Sequence, residues 1–144
     1  MPWVDNRENE IVAIMARLYP LTQVGADPLV VTLDRQPVGK ILPAQVPAIL
    51  LFEGQDVVTA QAGRNTKGPQ KRTLTLAFEL WVLSDDDDLS VGRLALRSLY
   101  NNARRLILDA NIYEKELTRI YTSVVPGIIG VGMVTELQYV NNGN

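Results

Sequence analysis

The alternation in Lys71 to Leu83, KRTLTLAFELWVL, restricts this chain more than any other feature. Leu74, Leu76, Phe78, Leu80 and Val82 fall on one side of an extended backbone; Thr73, Thr75, Ala77, Glu79, Trp81 and Leu83 fall on the other. A period of two is a strand's. At about 3.3 Å per residue this one runs roughly 40 Å, well beyond a typical globular strand. Its first half has a polar second face and is expected to project from the body as an arm. The second half, with Trp81 and Leu83, is expected to be covered on both sides.

The rest of the composition narrows the chemistry. With 144 residues the chain is expected to form one domain over 1–144, large enough to bury about two thirds of its unfolded surface. It contains no cysteine and no histidine. Disulfides, thiolate nucleophiles and Cys-based metal sites are therefore excluded, and so is the commonest general base. A net charge of −2 gives no bulk attraction for nucleic acid. The N-terminal MPWVDNRENE does not read as a secretory signal, and the longest apolar run, Val46 to Phe52, is too short to span a bilayer. The expected product is cytosolic.

Taken in order, Asp5 or Asn6 is placed to cap a helix through RENEIVAIMARL, with Glu8 and Glu10 at its positive end. Ile11, Ile14, Met15 and Leu18 make its apolar face, and it is expected to end before Tyr19-Pro20. Leu29–Arg35 and Val38–Leu42 are a candidate hairpin across Gln36-Pro37. PAILLF, Pro47–Phe52, reads as a short buried strand ended by a turn at Glu53-Gly54, with Asp56–Gln61 extended after it. AGRNTKGPQKR follows as a long loop, the most basic window, with Arg64, Lys67, Lys71 and Arg72.

Beyond the long strand, Asp85, Asp86, Asp87 and Asp88 precede a helix from about Leu89 to Leu108. Val91, Leu94, Ala95, Leu99, Leu106 and Ile107 are its expected packing face, and Gly92 allows close approach. Arg93, Arg97 and Arg104 project together as a basic stripe, either a solvated face or a subunit interface. Leu117–Val125 and Ile128–Val140 are expected to form a C-terminal antiparallel hairpin around Pro126-Gly127, with 141–144 as a frayed tail.

Candidate chemistry is thin. The four aspartates lack the alternating acids, central Gly and distant Glu of a calcium loop, and their capping role is the simpler reading. Gly127, Gly130 and Gly132 lead into a strand and match no phosphate loop. Ser90, Ser98 and Ser123 have no histidine and no SxxK lysine to activate them. A carboxylate nuclease would combine Glu79 and the aspartates with Lys71, but Lys71 lies about 26 Å up the strand from Glu79. No catalytic residue, cofactor or metal is expected. The basic loop is placed to meet phosphate backbones, an acidic surface of another copy, or solvent.

The order of a first helix ending near Tyr19-Pro20, PAILLF, a basic Gly/Pro loop, KRTLTLAFELWVLS, a helix behind an acidic cap and a closing VTELQYV resembles the tail terminator and tail-completion proteins of long-tailed bacteriophages and prophages. The resemblance spans about Asn6 to Val140, except that Val24–Pro43 departs from it. It implies a structural subunit and not an enzyme: a hexameric ring in the virion, at the head-proximal end of the tail, that caps the tail tube, ends its polymerisation and offers a surface to the head-tail connector. DNA would pass through its lumen unread, no membrane would be involved, and the chain would be made in the bacterial host cytoplasm. Arg64, Lys67, Lys71, Arg72, Arg93, Arg97 and Arg104 would form one interface face and Asp85–Asp88 the other, since a ring needs head-to-tail contacts. A connector or stopper subunit, or a metal-dependent nucleic-acid-processing enzyme, are the alternatives. The expected fold is α/β (α+β): a mixed or antiparallel sheet of about four to six strands, two main helices on one face and a long β-hairpin arm.

Overall fold

A computed structural model describes residues 6–28, 32–33, 41–61, 69–84, 89–109, 111–117, 121–122 and 127–141. The elements are α1 (Asn6–Thr22), β1 (Thr32–Leu33), a short 3-10 turn (Pro43–Gln45), β2 (Ala48–Gln61), β3 (Gln70–Leu83), α2 (Leu89–Ile107), β4 (Ile112–Leu117), β5 (Tyr121–Thr122) and β6 (Ile128–Asn141). They make one mixed sheet in the order β1-β2-β3-β6-β4, with β5 also on β6. β1 is parallel to β2, and every other pairing is antiparallel. This is the expected mixed α+β architecture.

The alternating strand is the centre of the sheet. β3 pairs with β2 on one side and with β6 along its whole length on the other, from Gln70 opposite Asn141 to Leu83 opposite Ile128. Leu74, Leu76, Phe78, Leu80 and Val82 are buried in the main core with Ile11, Ile14 and Leu18 of α1 and Leu96, Leu99, Tyr100, Ala103 and Ile107 of α2. Both helices therefore lie on one face. On the opposite face Trp81 packs with Ile41, Val46, Ala48, Leu50 and Ile128 as a second, smaller cluster. Burial on both faces explains why this end of β3 loses its clean apolar/polar alternation.

Several expectations are corrected. The turn at Glu53-Gly54 is an irregularity inside one continuous fourteen-residue strand, since pairing to β3 jumps from Glu53 to Asp56 and resumes. A partner as long as β3 can pair with both halves, so the polar break bends β2 without ending it. The outer half of β3 is not a free arm, because β6 backs the β2–β3 hairpin as a third strand. Leu83 is exposed at 56%, whereas its neighbour Trp81 is buried. α1 runs past Tyr19-Pro20 to Thr22. Pro20 removes only one late backbone bond, and Thr22 is fully buried with its hydroxyl donating to the Tyr19 carbonyl at 3.1 Å.

The hairpin expected over Leu29–Leu42 is replaced, where described, by Thr32–Leu33 running parallel to Leu50–Leu51. Ile41 is buried in the second cluster outside any strand, Leu42 beside it is exposed, and 29–31 and 34–40 lie outside the described residues. The strand expected at Leu117–Val125 sits earlier: β4 occupies Ile112–Leu117, and only Tyr121–Thr122 of the later stretch is a described strand. Both pair antiparallel with β6. Asn141, expected to fray, ends β6 opposite Gln70. No described helix is long and apolar enough to cross a membrane.

Candidate interaction surfaces

The packing face of α2 decides what the helix offers outward. Its buried positions are Gly92, Leu96, Leu99, Tyr100, Ala103 and Ile107, spaced by three and four residues. Of the expected face only Leu99 and Ile107 are buried. Val91 and Leu94 are exposed at 61% and 72%, and Ala95 and Leu106 also face outward. Gly92 sets this rotation as well as permitting it. A β-carbon there would lie 2.6 Å from the Ser84 Oγ, so the helix approaches the end of β3 where only glycine fits.

One flank of the buried stripe is basic. Arg97 and Arg104 gather on Tyr100, and Arg93 lies one turn before Arg97 at the edge of the same small cavity. The Arg97 and Arg104 guanidiniums lie 4.9 Å and 5.5 Å from the Tyr100 ring centroid. The Tyr100 hydroxyl donates to Glu114 Oε2 at 2.5 Å, and Arg104 Nε lies 3.3 Å from the same oxygen. Burial, then the Glu114 hydrogen bond and charge, push the Tyr100 hydroxyl above its ordinary range. Arg104 thus has an internal partner on β4. Among the described residues no carboxylate pairs with Arg93 or Arg97, which remain exposed and edge that 50 Å³ cavity with Leu117 and Val131.

The other flank is apolar over its middle turns, with Arg105 exposed beyond Asn102. Between the end of α1, the start of β2, the end of β3 and α2 lies an open groove of about 460 Å³. Leu21, Val24, Val46, Pro47, Leu83, Ala95, Ser98 and Asn102 are among its lining, and among the described residues none that lines it carries a charge. Val24 stands 74% exposed beside it. The two surfaces lie on opposite sides of the buried stripe, because Ala95, Ser98 and Asn102 are rotated about 150° around the helix from the arginines.

The basic window resolves differently. Arg64 and Lys67, like Asp85, Asp86, Asp87 and Asp88, lie outside the described residues. Lys71 is exposed on β3. Arg72 is not a loop cation: its Nε lies 3.0 Å from Asp56 Oδ1, and its Nη1 donates to Gln70 at 2.8 Å. Asp56 also accepts from the Tyr139 hydroxyl and lies 3.5 Å from Arg7 Nε, and Arg7 pairs with Glu53. This network ties the first turn of α1 to β2, β3 and β6. Burial first, then Asp56, push the Tyr139 hydroxyl up to about 12, and the Asp56 hydrogen bond raises Arg72. The Asn6 amide, expected as a cap, instead donates to the Val140 carbonyl at 2.8 Å.

Sequence reasoning found the arginines and missed the groove. The groove gathers single apolar residues from four elements, and the sequence signal for it was ambiguous, since Val91, Leu94 and Ala95 extend the apolar pattern of α2 beyond what its core contact uses. Among the described residues no group of three or more acidic side chains is arranged to hold a metal ion. No protein-family model matches the chain, and no curated protein matches it in sequence.

Proposed function

We propose that the chain is a structural subunit of a bacteriophage or prophage tail: a tail terminator that forms a hexameric ring on the tail tube, stops its polymerisation and presents a surface to the head-tail connector. The supporting observation is the pair of chemically distinct surfaces on opposite flanks of α2, one carrying Arg93 and Arg97 and the other a groove whose described lining is apolar and without charge. Head-to-tail repetition requires two such different faces on each subunit, whereas a two-fold dimer uses one face twice. The element order expected from the resemblance also accords with this reading: a long first helix, a β2–β3 hairpin, α2 behind the acidic run, and a long closing strand.

On this reading the sheet and its two helices are a rigid block, and function resides in what its surfaces touch. The network of Arg7, Glu53, Asp56, Arg72 and Tyr139 braces the outer ends of the three long strands against α1. A subunit that meets its neighbours and a tube ring at once needs such stiffness, because ordering a floppy surface costs association free energy. The chemistry demanded of it is contact, not turnover.

Light scattering after size exclusion, run over a range of concentrations, tests the proposal. A discrete assembly close to six subunits that forms equally well in a chelator supports it. A chain that stays monomeric alone and with tube protein present, or an activity lost on chelation, overturns it.

A further inference from the structure

The arginine flank of α2 has a shape as well as a charge. Arg93 and Arg97, one turn and about 6 Å apart along the helix axis, edge a cavity of about 50 Å³ whose other described lining is Leu96, Tyr100, Leu117 and Val131. A whole small-molecule ligand needs several times that room. The space suits the tip of one aliphatic side chain, and the rim suits a carboxylate beside it. Glu114 on β4 does not meet that demand, because Arg104 and the Tyr100 hydroxyl already hold it. The matching partner is therefore an exposed aliphatic residue with an unpaired carboxylate close to it in the chain.

The turn after α1 carries that pair. Val24 is 74% exposed, more than any other large apolar residue described. Asp27, three residues on, is exposed and takes part in no ion pair among the described residues. Three residues reach no more than about 10 Å, so a Val24 seated in the cavity brings the carboxylate to its rim. The turn is also held in place. The Asp27 N–H donates to the Ala44 carbonyl at 2.8 Å, and a β-carbon at Gly25 would lie 2.7 Å from the Val46 carbonyl oxygen. Other exposed aliphatic residues lack the second half of the pair. Glu8, one turn before Val12, lies 3.8 Å from Arg7, and Asp56, two residues before Val58, is held by Arg72.

We infer that the Arg93/Arg97 cavity receives the Val24–Asp27 turn of a second copy, with the Val24 side chain in the cavity and the Asp27 carboxylate on the arginines. Val24 stands beside the groove on one flank of α2 and the arginines stand on the other. Each copy therefore gives one turn and receives one, and the contact runs head-to-tail, closing into a ring or continuing as a filament. Its place in a tail ring rests on the reading above; the contact itself does not. A turn already fixed in the free subunit loses little freedom on docking.

Charge exchange tests it. Asp27→Arg and Arg93→Glu/Arg97→Glu are each expected to weaken self-association about tenfold at low salt. Their combination in one chain, Asp27→Arg/Arg93→Glu/Arg97→Glu, is expected to recover most of the loss, because the exchanged charges attract again. Val24→Ala is expected to weaken association several-fold with the charge pair intact. Val24 and Asp27 are exposed, so their variants are expected to melt as the parent does when dissociated. Sedimentation equilibrium reads the masses, with tube protein present where the chain alone is monomeric. A combined variant no better than Arg93→Glu/Arg97→Glu, or association indifferent to Asp27→Arg, overturns the inference. A six-membered assembly that ignores Val24→Ala and Asp27→Arg overturns it while leaving the tail-ring reading standing. Recovery by charge exchange in an assembly of another size does the reverse, and a chain that stays monomeric under both conditions overturns both.

Discussion

The six-membered ring of Trp81 rests on Gly130, its cross-strand partner, so closely that a β-carbon at Gly130 would fall 2.6 Å from Cε3 and 2.7 Å from Cδ2. The bare glycine backbone is the floor on which the second cluster is built, and Trp81 Nε1 donates to Glu79 Oε1 at 3.2 Å above it. Gly130→Ala is therefore expected to destabilise the fold by about 1–3 kcal/mol, because the ring must move and the backbone beneath it cannot. Gly54, whose nearest neighbour for an added carbon lies 3.2 Å away on the Thr75 side chain, is expected to tolerate Ala better. Denaturant melts of both variants check this, and equal losses would show that Trp81 repacks freely.

The rotation of α2 gives a second test. Leu96 is buried at 2% exposure, and Leu94, two residues away, is 72% exposed. Leu96→Ala is expected to cost about 2–4 kcal/mol through lost burial and the cavity left behind. Leu94→Ala is expected to stay within about 0.5 kcal/mol in the monomer. Chemical denaturation at a concentration where subunits are dissociated separates the two, and a reversed order would mean that α2 is turned.

Alkaline stability follows from Tyr139. Its hydroxyl is raised from the ordinary tyrosine value of 10 to about 12, so the folded state holds its proton more tightly than the unfolded chain does. The resulting stabilisation is complete below pH 10 and is lost as pH climbs through the window from about 10 to 12. Tyr139→Phe is expected to cost about 1.5–3 kcal/mol at neutral pH, the worth of a hydrogen bond to a charged acceptor. It should also lose less stability than the parent over that alkaline window. Parallel slopes for parent and variant would remove Tyr139 as the group responsible.

The sequence made the middle of β3, the second half of β6 and the buried face of α1 readable for one reason: over those stretches one face is covered, and a single face writes its period directly into the residues. Where two faces or two partners act on one element, the pattern blurs. The Val91/Leu94/Ala95 side of α2 is apolar like the Leu96/Leu99 side, so periodicity alone could not say which packs inward; the contact between Gly92 and Ser84 decides it. Likewise Glu53-Gly54 has the composition of a turn, and only the length of β3 opposite it makes it a bend within β2. Of the candidate site, the Arg93, Arg97 and Arg104 stripe was legible because it lies on one helix. The pairing of Arg72 with Asp56 joins two strands, and the groove joins four elements, so neither has a signature in any single stretch.

The arginine flank of α2 supplies the last prediction. Arg104 is held by Glu114, and Arg97 rests on Tyr100, but neither Arg93 nor Arg97 has a carboxylate partner among the described residues. Two exposed cations kept together on a helix beside β4 repel each other, and an acidic surface on a neighbour would relieve that repulsion. Arg93→Glu/Arg97→Glu is therefore expected to weaken self-association about tenfold at low salt. The gap from the parent should narrow as salt is raised and the contact is screened. Arg104→Ala, which breaks an internal pair, should act on the monomer instead, lowering stability by no more than about 1 kcal/mol. Sedimentation equilibrium of the three proteins at low and high salt checks the set. An oligomer mass unchanged by the double reversal at every salt concentration would take the arginines out of the interface and leave the groove side of α2 as the surface to probe.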